Sequence, residues 1–219
     1  VIYGIAQIML AENIVDKVLV LCPSLTIEAG LTEKFENLSG DSTLKKILEE
    51  LGAIQINPAI KNANDPIIEG DICVENIHAV YERTGSSIED SFQGKGKRTL
   101  VINDEAHHIY SGANYDTKEW MGFLQNSDYN FRYIVGVTGT PYIENEYFHN
   151  VIYRYGLRQA MEEGVVKKID YKTEEDHTQD KGFDETYHNH VRNVEKYGDK
   201  IQPISIVVTE KIVTCVKVW

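Results

Sequence analysis

The chain has 219 residues, enough for one large domain or for one domain with part of a second. Its 42% hydrophobic and 26% charged residues lie in the range of soluble globular proteins, and no apolar stretch approaches the roughly 20 residues needed to span a bilayer. A formal net charge of -12 argues against a broad nucleic-acid-binding surface, although a narrow groove could still hold phosphates through backbone N–H groups. Cys22, Cys73 and Cys215 are widely spaced and form no CxxC pair, which points away from a disulfide framework or a zinc site. With no signal-peptide pattern in Val1 to Leu10, a cytoplasmic location is expected.

Val1 to Asn13 is expected to be a mostly apolar helix with no capping residue before it. Val18 to Leu21 forms a short buried strand ending at Cys22-Pro23-Ser24. Thr26 to Leu38 and Thr43 to Leu51 read as helices, Ala53 to Asn57 and Ile72 to Val74 as strands, and Asn76 to Arg83 as a short helix. Gly85 to Arg98 has little apolar periodicity and is expected to be a loop. The strand Thr99–Ile102 follows, then a helix over Lys118 to Leu124 and a second buried strand, Tyr133 to Val137. This alternation of strands and helices indicates parallel βαβ construction. Further on, Leu157 to Glu163 is a helix stopped by Gly164, and Ile169 to Lys172 is a short strand. Glu174 to Lys200 is polar, either a loop or a solvated helix. Ile204 to Val208 reads as a new buried strand, and Thr209 to Lys217 as the start of a helix.

Three constellations can carry chemistry. The first is Asp104-Glu105-Ala106-His107-His108, delivered by the apolar run Thr99–Ile102 to the carboxyl end of a strand, where ligands of open α/β sheets bind. Two adjacent acids are costly there unless a cation compensates them, and magnesium carrying nucleotide phosphates fits that need. The second is Thr138-Gly139-Thr140-Pro141, whose two hydroxyls at a strand end suit a hydrogen-bond relay; a simple β-turn explains the same residues. The third is Cys22-Pro23-Ser24-Leu25-Thr26, where Ser24 and Thr26 can cap a helix whose N-terminus also suits a phosphate. Asn76-Ile77-His78 has the same double character. No GxxxxGK[ST] loop is present, because Gly94 to Thr99 carries Arg98 at the Ser/Thr position and precedes a strand rather than following one. Adjacent His107 and His108 do not match the i, i+4 spacing of a zinc helix.

Taken in order, these motifs resemble a superfamily 2 helicase or translocase of the DEAD/DEAH type, most closely the ATPase (Res) subunit of type III restriction enzymes. Cys22 to Glu28 is similar to motif Ia, Asp71 to Tyr81 to the motif Ib region, and Asp104 to His107 spell DEAH, the Walker B element. Thr138 to Tyr142 resembles motif III, Gln159 to Lys168 the passage out of the first RecA-like domain, and Pro203 to Lys211 the opening of the second.

The resemblance implies an α/β fold: a truncated RecA-like three-layer αβα P-loop NTPase domain with a mostly parallel sheet over 1–165. A linker over 166–200 and the start of a second RecA-like domain over 201–219 would follow. It implies ATP and Mg2+ as cofactors, with Asp104 on the metal and, with Glu105, on the nucleotide, and Glu105 as the catalytic carboxylate with Asp104. His107, Thr138 and Thr140 would couple nucleotide state to the nucleic-acid path, and Ser24, Leu25, Thr26, Asn76 and His78 would line it. The implied partners are DNA, contacted through its backbone, and a methyltransferase or specificity subunit in the parent system, with no membrane. The family places a Walker A loop before the Val1 helix and motifs V and VI beyond Trp219, so the expectation is a fragment of an ATP-dependent DNA translocase, inactive in turnover by itself. A catalytically silent RecA-like scaffold and a metal-dependent hydrolase are the alternatives.

Overall fold

The computed structural model describes residues 1–54, 56–81, 86–110, 115–143, 145–168 and 179–206. The chain divides into two compact units, Val1–Ile152 and Tyr153–Trp219.

In the first unit, α1 (Ile2–Ala11) leads into β1 (Lys17–Cys22), followed by α2 (Leu25–Gly40), α3 (Ser42–Glu50), β2 (Ile60–Lys61) and β3 (Ile72–Asn76). The short helices α4 (His78–Tyr81) and α5 (Ile88–Phe92) precede β4 (Thr99–Asp104). Then come α6 (His107–Tyr110), α7 (Tyr115–Gln125), β5 (Tyr133–Val137) and a small hairpin of β6 (Tyr142–Ile143) and β7 (Glu146–Tyr147).

Five parallel strands form one sheet in the order β2-β3-β1-β4-β5. Because side chains alternate across a strand, each central strand feeds two cores. Val18, Val20, Ile72, Val74, Leu100 and Ile102 pack against Tyr3, Ala6 and Leu10 of α1 and Phe35 of α2. Leu19, Leu21, Cys73 and Val101 face Ile88, Phe92, Ile109, Trp120 and Phe123 on the opposite side. Both faces of β1, β3 and β4 are therefore dry, which is why these strands read as unbroken apolar runs. The result is the RecA-like three-layer αβα architecture.

Several expectations are corrected. The described part of Ala53–Asn57 is not a strand; pairing starts beyond Pro58, which has no N–H to donate, and the Ile56 carbonyl accepts the Gln7 side chain instead. Gly85–Arg98 is not a plain loop, since it contains α5 and a 3-10 turn over Gly96–Arg98. Helix α5 is only five residues long, too short for periodicity to reveal, and is fixed by burial of Ile88 and Phe92. The ammonium of Lys17, itself buried, donates to the carbonyls of Ile67 and Ser91 and lies over the Phe92 ring.

Nor is β5 a buried strand: among the described residues it pairs only with β4, and Ile134 is 45% exposed. Its apolar sequence reflects one covered face, Tyr133, Val135 and Val137 packing on the α1–α2 side.

In the second unit, α8 (Leu157–Glu162) ends as expected at Gly164, whose φ of +73° suits the turn. Most of the polar stretch forms a helix, α9 (Gln179–Tyr197). Ile204–Ile206 carry no strand, whereas Val207–Val208, Ile169–Lys172 and Thr209–Lys217 lie outside the described residues.

Gly96 provides a direct check of the fold. A Cβ there would collide with the Tyr129 carbonyl oxygen and lie 2.7 Å from the Asn130 carbonyl carbon. Both belong to the turn that donates the Arg132 N–H back to the Gly96 carbonyl. Gly96→Ala is expected to lower stability by about 1–3 kcal/mol, read as a reduced urea midpoint at unchanged slope.

Candidate functional site

Parallel pairing brings the carboxyl ends of β3, β1, β4 and β5 to one edge of the sheet. Asp104 is the last residue of β4 and faces Val137 of β5, placing it on the α1–α2 side of the sheet. It is half-buried, and desolvation pushes its carboxyl above the ordinary aspartate range. The Glu105 N–H pulls it back down, the Glu105 charge raises it, and Lys34 of α2 lowers it.

The chain then turns sharply. Glu105 adopts φ +50°, a left-handed conformation unusual for a long side chain and of the kind found where function dictates backbone shape. The Ala106 N–H donates to the Val137 carbonyl at 3.0 Å, fastening the turn to the end of β5. The two chains approach closely enough that a Cβ on Gly136 would lie 2.8 Å from the Ala106 Cβ. On the opposite side of β4, Asn103 is buried and accepts the Trp120 indole N–H at 2.9 Å, anchoring α7.

From this turn runs a connected set of side chains. His107 Nδ1 lies 2.8 Å from Thr138 Oγ1 and 3.3 Å from Glu105 Oε2. Thr138 Oγ1 accepts the Thr140 backbone N–H at 3.0 Å. Glu105, His107, Thr138 and Thr140 are thus brought together, the link running through the Thr140 backbone rather than its hydroxyl. A proton on His107 Nδ1 can be given to only one of its two oxygen neighbours at a time, so the imidazole can switch between the carboxylate and the threonine.

The remaining expected residues lie over β1 and β3. Ser24 caps α2, its hydroxyl accepting the Ile27 N–H at 3.4 Å, and Leu25, 71% exposed, and Thr26 follow on the surface. His78 is half-buried at the start of α4. Asn76 differs: it is buried, and its side chain is taken up by Glu28, Glu75 and the His78 N–H. A direct contact between its side chain and a nucleic acid is not compatible with that placement. Glu28 and Glu75 were not expected as site residues; the available signal was an acid inside the apolar run Ile72–Val74 and its continuation. Cys22 is no nucleophile, because burial, with Glu28 adding, pushes its thiol up to about 12.

Among the described residues no three His, Cys, Asp or Glu side chains converge into a group that could hold a metal ion by themselves. Magnesium differs from zinc in this respect, needing only one or two carboxylates when water and phosphate oxygens complete its shell. Asp104, partly desolvated and raised, suits that role.

This combination of parallel sheet and acid-bearing strand end defines a RecA-like P-loop domain. The family model for the type III restriction enzyme, res subunit, matches residues 1–143, and the chain belongs to that family. It is a family of helicase-like ATPases. No curated protein matches the chain. No helix among the described residues is long and apolar enough to cross a membrane.

Asp104→Asn tests whether this acid is held for a ligand rather than for the fold. A carboxyl whose folded value is raised destabilises the fold above that value, and this penalty fades as pH falls toward its unfolded value. The Asn variant is therefore expected to melt slightly higher at neutral pH, by less than about 1 kcal/mol because the group is partly solvated. The gain should disappear in acid; a variant less stable at pH 7 would count against a ligand-facing role.

Proposed function

We propose that the chain supplies the Walker B and motif III wall of an ATP-dependent DNA translocase of the restriction type. The observation that carries this reading is the bonded series Glu105, His107, Thr138 and Thr140, built where β4 and β5 end, in a chain of this family. Asp104 is suited to hold Mg2+ through water, and Glu105 to orient or deprotonate the attacking water. Bound Mg–ATP would supply the γ-phosphoryl group for hydrolysis. His107 senses Glu105 on one side and Thr138 on the other, so a change at the carboxylate is felt at the end of β5.

Nucleic acid is assigned to the neighbouring half of the same edge, over β1 and β3. There the cap of α2 offers hydroxyl and N–H groups, which suit backbone phosphates and carry little base specificity. The division into a first RecA-like domain over 1–165, a linker over 166–200 and the opening of a second domain over 201–219 is part of this reading. So are a cytoplasmic setting and a methyltransferase or specificity subunit as partner.

The test is DNA-stimulated ATP hydrolysis by the full-length protein that carries these residues. Glu105→Gln is expected to reduce turnover at least 100-fold, within the range typical of a lost general base, with nucleotide binding retained. His107→Ala is expected to keep DNA-independent hydrolysis while lowering its stimulation by DNA. Full turnover in the Glu105→Gln protein would defeat the assignment. Nucleotide-free DNA binding with no hydrolysis by the native protein would favour a RecA-like scaffold.

A further inference from the structure

At the last paired position of β1 and β3, Cys22 lies opposite Asn76. Beyond it the two chains diverge, one into the Ser24 cap of α2 and the other into His78 and α4. A hydrogen-bonded cluster bridges them. Asn76 Nδ2 donates to Glu28 Oε2 at 2.7 Å and to Glu75 Oε1 at 3.1 Å. The Asn76 backbone N–H is directed at the same two oxygens, 3.1 and 3.2 Å away. Asn76 Oδ1 accepts the His78 N–H at 3.1 Å, and Glu75 Oε2 accepts the Ala63 N–H at 2.8 Å.

Glu75 and Asn76 are each only 6% exposed. The carboxylate oxygens of Glu28 and Glu75 thus converge on the same two Asn76 donors. Burial pushes the Glu75 carboxyl up, the Ala63 N–H pulls it part of the way back, and the Glu28 charge raises it again.

A buried carboxyl is tolerated only where donors surround it, and here those donors come from separate parts of the chain. The cluster stabilises something more specific than the sheet: it connects three separate segments of the chain, at Glu28, at Ala63 and at Asn76 to His78. We infer that Glu28, Asn76 and Glu75 form a positioning clamp that holds the α2 cap and His78 in fixed register for the backbone of one nucleic-acid strand. This rests on the assignment of that face to nucleic acid. None of the three need touch the strand; Asn76 in particular acts through its neighbours.

The experiment measures binding of a fluorescein-labelled single-stranded DNA oligonucleotide to the full-length protein by anisotropy, at one salt concentration. Glu28→Ala is expected to weaken binding at least tenfold. Glu28→Gln keeps an acceptor for Asn76 and should bind within about twofold of the native protein. Glu75→Leu covers the case in which the alanine variant does not fold. It leaves the buried Ala63 N–H without its acceptor and is expected to melt somewhat lower than the native protein, and, assayed well below that melting temperature, to bind at least tenfold more weakly. A merely structural cluster would leave binding by the Glu75→Leu protein intact, and that result overturns the clamp. Equal weakening by Glu28→Gln and Glu28→Ala overturns it too, because charge rather than hydrogen-bond geometry would then be at work. Native protein that binds no oligonucleotide overturns the nucleic-acid assignment along with the clamp, whereas native binding with tight Glu75→Leu binding removes the clamp alone.

Discussion

Every functional feature of the first unit depends on one constraint, the burial of β1, β3 and β4 on both faces. A strand covered on both sides has no solvent-facing row in which to place polar chemistry. Polar residues are pushed to the strand ends, and parallel pairing collects those ends at a single edge. Asp104, Thr138, Ser24 and Asn76 are neighbours in space for this reason, although they are scattered along the sequence. The strand order then divides the edge, with β4 and β5 carrying the acid turn and its threonines and β1 and β3 carrying the capped helix and the carboxyl cluster.

The central strands were legible because burial on two faces leaves an unmistakable apolar run, and the helix after β1 because Ser24 marks its start. The motif order made the acid turn and Thr138 legible as well. What escaped was decided by tertiary contact. The β2 strand is two residues long, and α5 is fixed by burial of Ile88 and Phe92 against residues distant in the sequence. An edge strand with one covered face, such as β5, looks in sequence like a central one; only its partners distinguish them. Asn76 looked like a surface donor, and its burial depends on Glu28, far upstream in the chain.

The turn after β4 shows how the sheet restrains chemistry at its edge. Glu105 holds a backbone conformation that costs on the order of 1 kcal/mol for a residue with a Cβ. It persists because Ala106 is bonded to Val137 and because Gly136 leaves room for the approach. Strain in the turn and smallness in the neighbouring strand are thus one feature. The imidazole of His107 is consequently held against both Glu105 and Thr138, where a free loop would let it swing away.

The two acids at this edge, Asp104 and Glu75, differ in what the fold places around them. Both are raised first by burial. Glu75 is then surrounded by protein donors, the N–H groups of Ala63 and Asn76 and the Asn76 amide. Asp104 receives the Glu105 N–H but sits beside the Glu105 carboxylate, with Lys34 the opposing charge. One acid is met by several donors from within the fold, and the other faces a like charge with a single lysine opposing it. A sequence shows both as acids at the ends of apolar strands, so the difference lies entirely in which donors the fold brings to each.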